Sequence, residues 1–366
     1  MKKDRAKKLL LLAMSIGFVV LLDFTGSLVY GLLTEDMRDR FFVFDREIGF
    51  IHQSNVEFEV SWPEARSGKV VYRTNNIGLR EDRATLEQAT VNDRVIVFGD
   101  SHTDGVVNNR DSFSHVAEDL LNRSSETRVE VLNAGIGLSC IRQHAQLLKR
   151  LLRLRPCVAV FTVFVGNDYA DILHTAAGPT LYDRWLKHSI ILRGLRRLDV
   201  SPRMRAERVN RYAMWQSMAQ AYYFKQHPDS LARASRMHEE LFSSIDSTCR
   251  EHKIVPLILI LPTKYQVEPG SAAEDFASIE HLLGFTPDRK TEEEVSINLH
   301  AILRRLRIPF VDLKERFSAA ADSAHARHLF WQADHHLSEY GHAVAGTVLA
   351  DTLRGLLRGL PASEAN

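Results

Sequence analysis

The chain has 366 residues, of which 45% are hydrophobic and 25% are charged, and its formal net charge at pH 7 is +1. These fractions are ordinary for a globular protein, and the length allows one large domain with appendages or two modest domains. A net charge so close to zero argues against the basic footprint of a nucleic-acid-binding protein. The three cysteines form neither a C-x-x-C pair nor a disulfide-rich framework, so we predict no disulfide.

The first segment has the pattern of a membrane anchor. Five Lys or Arg residues within the first eight positions precede an apolar stretch from Leu9 to Leu33, which is interrupted chiefly by Asp23. A bilayer span needs about 20 apolar residues, and the surrounding Leu, Val and Phe can offset the roughly 2.5–3.5 kcal/mol that a carboxylate costs near mid-bilayer. We therefore predict an uncleaved anchor over residues 1–33.

A cleaved signal peptide with residues 9–22 as its apolar core is the alternative, although no convincing A-x-A cleavage site follows it. Both interpretations place the rest of the chain outside the cytoplasm, because the basic flank stays inside. The predicted location is the periplasmic or cell-surface side of the membrane.

Residues 34–93 are predicted to form a small accessory region with short β-strands. Residues 56–62 alternate partly between apolar and polar, and residues 69–73 are rich in strand formers. The segment from Tyr72 to Arg80 reads Y-R-T-N-N-I-G-L-R, and its Asn-Asn pair and glycine suit a turn. Its expected role is to lead the chain into the first core strand.

From Arg94 onward, apolar runs alternate with helical patterns. The predicted strands cover residues 94–98, 128–133, 158–165, 254–261 and 309–313. Helices are predicted over 113–121 and 141–154, and Ser338 is expected to cap a last helix that runs to about Leu357. This alternation predicts an α/β domain over residues 94–360, with a parallel sheet covered on both faces.

A helical and partly basic insertion, about residues 170–251, separates the third and fourth predicted strands. Between positions 184 and 211 it has nine Lys or Arg residues and few acidic ones. The pattern favours a solvated helical face. A patch for an anionic glycan or for phospholipid headgroups is the alternative.

Four polar clusters follow predicted strands or fill the last loop. They are G-D-S at 99–101, N-A-G-I-G at 133–137, G-N-D at 166–168 and D-H-H-L-S at 334–338. Ligands bind outside the carboxyl edge of such a sheet, where strand ends meet. Acyl transfer requires a nucleophile, a base, a group that orients the base, and donors for the oxyanion. Taken alone, the first cluster could equally be an ordinary turn after a strand, because Gly, Asp and Ser are common turn residues.

The four clusters together contain all of these groups. Ser101 supplies the hydroxyl, His336 can accept its proton, and Asp334 can orient the imidazole. The predicted oxyanion donors are the backbone N–H groups of Ser101 and Gly137 and the side-chain amide of Asn167. His102 is expected to be a pocket or structural residue. The histidines near the C-terminal end fit no standard zinc spacing, so we predict no metal.

These motifs, in this order on these elements, resemble the SGNH (GDSL-type) hydrolase superfamily over roughly residues 94–357. The resemblance implies a flavodoxin-like three-layer α/β/α fold, Ser-His-Asp ester chemistry and the oxyanion roles given above. The anchor, N-N-I-G-L-R before the first strand and L-P-T-K after the fourth are similar to bacterial envelope members. Several of those members modify acyl groups on surface polysaccharides.

The sequence departs from the family pattern at two places. In many members the Asp lies three residues before the catalytic His, a position held here by Ala333. Here the Asp lies two residues before it, as in the branch that resembles alginate O-acetylating periplasmic proteins. Counting from Asn133, the usual second-motif glycine position falls on Leu138. We therefore choose Gly137 and keep Gly135 as the alternative.

The sequence thus predicts a membrane-anchored, extracytoplasmic serine esterase without cofactor, metal or nucleic-acid partner. Its substrate is expected to be an ester, such as an O-acyl group on a glycan or lipid. An O-acyltransferase that uses the same triad on an envelope polysaccharide is one alternative. A non-catalytic glycan-binding scaffold is a further alternative, because a fold does not establish a function.

Overall fold

The chain divides into two compact units in the computed structural model. One contains Met1–Arg40 and Ala177–Glu207, and the other contains Phe41–Ala176 and Arg208–Asn366. The structure describes residues 2–33, 41–85, 93–123, 128–137, 139–173, 189, 191, 220, 223–224, 227–269, 290–323, 327–332 and 334–359. The domain boundaries predicted above stay predictions. Of the basic stretch at 184–211, only residues 189 and 191 lie within the described part.

The first unit contains helix α1, Lys2–Leu33, whose residues 6–30 have a mean hydropathy of 2.2. Within the described ranges, this is the one helix long and apolar enough to cross a membrane. Asp23 is 6% exposed. Its carboxylate accepts hydrogen bonds from the Ser189 hydroxyl at 2.6 Å and from the Ile191 backbone N–H at 3.0 Å. The charge that interrupts the apolar stretch therefore has polar partners inside its own unit.

The second unit is built on a parallel sheet. Its strands are β5 Asp93–Gly99, β6 Val129–Gly135, β7 Val158–Phe164, β8 Val255–Leu261 and β9 Phe310–Asp312. They lie in the order β6-β5-β7-β8-β9, with every neighbouring pair parallel. The predicted α/β class and parallel sheet are confirmed. The strand ends lie within two residues of the predicted ones.

Helices cover both faces of this sheet. The helices of the second unit are α2 Ser101–Asp104, α3 Phe113–Asn122, α4 Ile141–Leu151, α5 Asp168–Asp171, α6 Pro228–Glu251, α7 Lys264–Val267, α8 Lys290–Leu306, α9 Lys314–Ser323 and α10 Glu339–Arg358. Successive side chains of a strand point to opposite faces. Accordingly, Val95 and Val97 belong to the buried cluster with α3, α9 and α10, whereas Ile96 and Phe98 belong to that with α4, α6 and α8. The result is the expected three-layer α/β/α arrangement.

Two antiparallel hairpins precede the sheet in the same unit. They pair β1 Phe42–Asp45 with β2 Gly49–His52, and β3 Glu57–Ser61 with β4 Lys69–Arg73. The short strands predicted near residues 56–62 and 69–73 are therefore present as β3 and β4, whereas β1 and β2 lie in a segment for which the sequence predicts no strand. The segment after β4 returns to the sheet, where the Arg80 backbone N–H donates to the carbonyl of Asn133 at 3.1 Å. The predicted accessory region thus reaches the carboxyl edge of β6.

Candidate active site

The chain makes a tight turn between β5 and α2. A Cβ at Gly99 would lie 1.8 Å from the Thr162 hydroxyl and 2.0 Å from the Thr103 hydroxyl, so only glycine fits this position. The Asp100 carboxylate accepts the backbone N–H of His102 at 3.0 Å, which caps the first turn of α2. This local packing places the half-buried Ser101 just beyond the carboxyl end of β5.

The loop before α10 is held by its own backbone. The Trp331 N–H donates to the His336 carbonyl at 3.0 Å, and the Ser338 N–H donates to the Leu329 carbonyl at 2.9 Å. The Ser338 hydroxyl accepts the Gly341 N–H at 3.1 Å, so the predicted helix cap is confirmed. The loop carrying His336 is therefore anchored on both sides.

Ser101, His336 and Asp334 form one hydrogen-bonded chain. His336 Nε2 lies 2.8 Å from Ser101 Oγ, and its Nδ1 is hydrogen-bonded to Asp334 Oδ1. The same Asp334 oxygen accepts the His336 backbone N–H at 2.8 Å. The order hydroxyl, imidazole, carboxylate is the one in which a serine can be deprotonated as it attacks a carbonyl carbon.

The electrostatics favour a charged imidazole beside a charged carboxylate. Burial alone would lower the pKa of His336, but Asp334, followed by Asp100 and Asp104, raises that pKa above its ordinary value. Burial alone would raise the pKa of Asp334, but the charge and hydrogen bonds of His336 lower it below its usual range. The imidazolium that forms when His336 accepts a proton is therefore stabilised.

Two further histidines lie beside His336 and are neutral. The ring of His102 lies 4.9 Å from that of His336 and 3.9 Å from that of Phe164, measured between centroids. Burial lowers the pKa of His102 well below its usual range and lowers that of His335 to about 3. Neither histidine has the Ser101 contact that His336 makes. The role of His102 as a pocket or structural residue stays a prediction.

The predicted oxyanion donors lie in different surroundings. The Ser101 N–H belongs to the first residue of α2, where helix geometry provides no intrahelical acceptor. The Asn167 side-chain amide donates to Asp171 at 2.8 Å, which leaves its second N–H for another acceptor. The Gly137 N–H donates to Asp104 at 3.1 Å, and the Gly135 N–H donates to the Asn133 side chain at 2.9 Å.

The Gly137 N–H already has an acceptor, the Asp104 carboxylate. Its role as an oxyanion donor therefore stays a prediction. Gly135 has a packing role, because a Cβ there would lie 2.3 Å from the Asp104 backbone nitrogen. Leu138, which holds the usual family position, lies outside the described residues.

Two buried acids lie under the site. One oxygen of Asp100 and one of Asp168 are buried without a hydrogen-bond partner among the described residues. Burial raises the pKa of Asp100 to about 7, and burial together with Asp100 raises the pKa of Asp168 well above its usual range. Two negative charges so close together in a buried site are unfavourable, so protonation of this pair is favoured near neutral pH.

Three residues behind residues 99–101, the nucleophile turn, are not predicted from the sequence: Asp104, Arg80 and His52. The Asp104 carboxylate accepts hydrogen bonds from Arg80 Nη1 at 2.6 Å and from His52 Nε2 at 3.1 Å. Burial alone would raise the pKa of Asp104, but His52 and Arg80 lower it to about 2. The available signal was Arg80 at the end of N-N-I-G-L-R, a charged residue in the turn segment that precedes the first core strand.

Among the described residues, no group of three or more His, Cys, Asp or Glu side chains is arranged to hold a metal ion. The expected absence of a cofactor and of a metal stays a prediction.

No family model and no curated protein matches the chain. Solved structures that resemble it include a lipase/acylhydrolase from Enterococcus faecalis, at 12% identity and a TM-score of 0.43, covering 75% of this chain and 100% of that one. Another is a putative lipolytic protein of the G-D-S-L family from Desulfitobacterium hafniense, at 14% identity and a TM-score of 0.39, covering 71% and 99%. A third is the acetyl xylan esterase AlAXEase, at 14% identity and a TM-score of 0.41, covering 72% and 99%.

Proposed function

We propose that the chain is an SGNH-type serine esterase, anchored in a membrane by α1 and acting outside the cytoplasm. The observation that carries this proposal is the hydrogen-bonded chain from Ser101 through His336 to Asp334. It lies at the carboxyl edge of the parallel sheet, where an α/β fold binds its ligands. Four sequence motifs that resemble the SGNH superfamily supply the residues of this edge.

The reaction has two halves. In the first, Ser101 Oγ attacks the ester carbonyl carbon while its proton passes to His336 Nε2, which gives a tetrahedral oxyanion. The bond to the alkoxide leaving group then breaks as His336 gives that proton to the leaving oxygen. In the second half, water attacks the acyl-enzyme with His336 as base, the acid is released, and Ser101 regains its proton. Asp334 holds the imidazole tautomer and stabilises the imidazolium in both halves.

The oxyanion requires donors aimed at the developing charge. We assign this role to the Ser101 N–H and the Asn167 amide, with Gly137 as the third predicted donor. Because the Gly137 N–H already donates to Asp104, Ser101 and Asn167 carry the larger share of the proposed stabilisation. Protonation of the Asp100 and Asp168 pair favours the oxyanion as well, since it removes nearby negative charge.

The membrane anchor suggests where the substrate lies. Five Lys or Arg residues precede the apolar part of α1, so the basic flank would stay in the cytoplasm and the unit with the site would lie outside. The substrate class that suits this location is an ester in the cell envelope, such as an O-acyl group on a glycan or a lipid. The same triad would act as an O-acyltransferase if a sugar hydroxyl replaced water in the second half-reaction.

Full-length protein in detergent micelles can be assayed with p-nitrophenyl esters of graded chain length and with acetylated oligosaccharides. We expect ester cleavage by the wild type and none by Ser101→Ala. Release of free acid supports the esterase, whereas acyl transfer to an added oligosaccharide supports the transferase. If the folded wild type neither cleaves these esters nor reacts with a fluorophosphonate probe, a non-catalytic glycan-binding scaffold replaces both proposals.

A further inference from the structure

Arg80 is a fully buried arginine at the back of the nucleophile turn, with 1% of its surface exposed. Its Nη1 donates to the Asp104 carboxylate at 2.6 Å and to the Asp104 carbonyl at 2.8 Å. Its Nη2 donates to the Val107 carbonyl at 2.9 Å, and its Nε donates to the Asn109 side chain at 3.0 Å. The guanidinium also lies 4.5 Å from the ring centroid of Tyr72. One side chain therefore fixes the end of α2 and the loop that follows it.

His52 approaches the same carboxylate from the β1–β2 hairpin. Its Nε2 lies 3.1 Å from Asp104 Oδ2, and its ring packs 4.2 Å from Phe41 and 5.0 Å from Phe42, measured between centroids. The same Asp104 oxygen accepts the N–H of Gly137 at 3.1 Å. Asp104 thus joins the nucleophile turn, the loop after β6 and the first hairpin at one buried point.

Asp104 also acts on the base through its charge. It lies three residues after Ser101 in α2, and it is one of the carboxylates that raise the pKa of His336. Arg80 and His52 lower the pKa of Asp104 itself, so Asp104 is ionised at neutral pH. The charge that His336 experiences from this side therefore depends on both Asp104 and its buried arginine partner.

We propose that Arg80 and His52 are positioning residues of the active site, which act through Asp104. They hold the turn that carries Ser101 against the loop that carries Gly137, and Arg80 balances the charge that Asp104 presents to His336. This inference rests on the proposed esterase function. It makes the N-terminal hairpins part of the catalytic machinery and not a separate accessory region.

The charged and titratable groups that act on His336 come from several elements. They are Asp334 and His335 in its own loop, Asp100, His102 and Asp104 around the nucleophile turn, and His342 in α10. His102, His335 and His342 are neutral at pH 7, because burial lowers their pKa values. Asp334 and Asp104 are ionised, and Asp100, with a pKa of about 7, titrates in the working range.

The test is the acidic limb of kcat/KM for p-nitrophenyl acetate hydrolysis by the full-length protein, which reports the coupled proton loss from His336 and Asp100 in the free enzyme. Loss of a neighbouring charge moves the pKa of both groups in the same direction. Asp104→Asn removes a negative charge, so its limb should move to lower pH. Arg80→Met removes a positive charge, so its limb should move to higher pH, and kcat should fall as the turn loosens. We expect each shift to be about 0.5 pH units or more. A merely structural role would lower activity without moving the limb in opposite directions.

Arg94 provides a matched control. It is a buried arginine paired with Glu130 at 2.5 Å, but it lies near the other end of β5. Arg94→Met should lose thermal stability and keep the wild-type limb. His52→Phe retains a ring against Phe41 and loses the hydrogen bond to Asp104. It should lower kcat by about 3–10-fold, as loss of one positioning contact can, with KM little changed.

Arg80→Met leaves the Asp104 carboxylate buried without its arginine partner and could therefore fail to fold. In that case the double variant Arg80→Met/Asp104→Asn, which also removes this carboxylate, is assayed instead. Its limb should then lie above that of Asp104→Asn, because the loss of the Arg80 charge opposes the loss of the Asp104 charge. An equal limb in the double variant and in Asp104→Asn would contradict the role of Arg80. The inference is overturned if the folded Asp104 and Arg80 variants keep the wild-type limb, or if His52→Phe has wild-type kcat. Failure of the proposed function looks different, because the wild type itself would then leave Ser101 unlabelled by a fluorophosphonate.

Discussion

One carboxylate oxygen of Asp334 accepts two hydrogen bonds from His336, one from the backbone N–H at 2.8 Å and one from ring Nδ1. The backbone bond closes a tight turn in which an Asp side chain binds the chain two residues on. That turn places the carboxylate beside the ring even though only one residue separates the two. The spacing that departs from the common family pattern is therefore compatible with an Asp–His pair.

The first prediction concerns the ranking of variants at this loop. His336→Ala should lose about as much kcat as Ser101→Ala, on the order of 10⁴–10⁶-fold, because nucleophile and base act as one unit. Asp334→Asn should lose less, because it orients the base without exchanging the proton. His335→Ala should retain most activity, since His335 has no contact with Ser101 among the described residues. An essential His335 with a dispensable His336 would move the base one residue upstream.

A second prediction concerns Asn167. Asn167→Ala should lower kcat by about 10²–10³-fold, as removal of one oxyanion donor typically does, with the thermal unfolding midpoint nearly unchanged. Asp171→Asn is a useful companion, because it keeps the size of the side chain that binds the Asn167 amide and removes its charge. Activity of Asn167→Ala within a factor of about two of the wild type would restrict Asn167 to a turn role.

The third prediction concerns the pH dependence of stability. His342 is buried with its pKa lowered to about 3, and His335 likewise. The unfolded chain binds protons on these histidines below about pH 6.5, whereas the folded chain does not. The free energy of unfolding should therefore fall from pH 6.5 toward pH 3, by up to about 1.4 kcal/mol per pH unit for each histidine.

Urea titrations between pH 4 and pH 7 measure this slope. His342→Gln removes one titrating group and should flatten this slope. An equal slope in wild type and His342→Gln would contradict the buried, neutral state of His342.

A fourth prediction concerns topology. The basic flank before Leu9 should stay in the cytoplasm, so a reporter fused after Asn366 should report an extracytoplasmic C-terminus. N-terminal sequencing of the membrane-bound protein separates an anchor from a cleaved signal peptide. A reporter that is active only in the cytoplasm would reverse the proposed orientation.

Most of the fold could be predicted from local sequence patterns. The apolar runs of β5, β7 and β8 are buried on both faces, and continuous hydrophobicity is the signal for such strands. Gly99 and Ser101 could be placed at the site from the sequence, because a strand that ends in small polar residues is typical of the carboxyl edge of an open sheet. The close approach of Gly99 to Thr162 explains why this residue is glycine.

The network behind the site could not be predicted in the same way. Arg80 lies in a segment whose sequence indicates a turn, and the sequence predicts no particular element around His52. Charged and polar residues in such segments are usually exposed. The burial of Arg80 and His52 depends on Asp104, which is far from both in sequence and adjacent only in the folded chain. For the same reason no sequence pattern could indicate that the Gly137 N–H would donate to Asp104.

The most direct test of the central claim is covalent labelling of the full-length protein by a fluorophosphonate, with the modified residue located by peptide mass spectrometry. The account predicts one adduct, on Ser101, formed at a rate that falls steeply in His336→Ala and less in Asp334→Asn. The folded Ser101→Ala variant should remain unlabelled. An adduct on another residue would contradict the assignment of Ser101 as nucleophile. An equal labelling rate in the wild type and in His336→Ala would contradict the assignment of His336 as base.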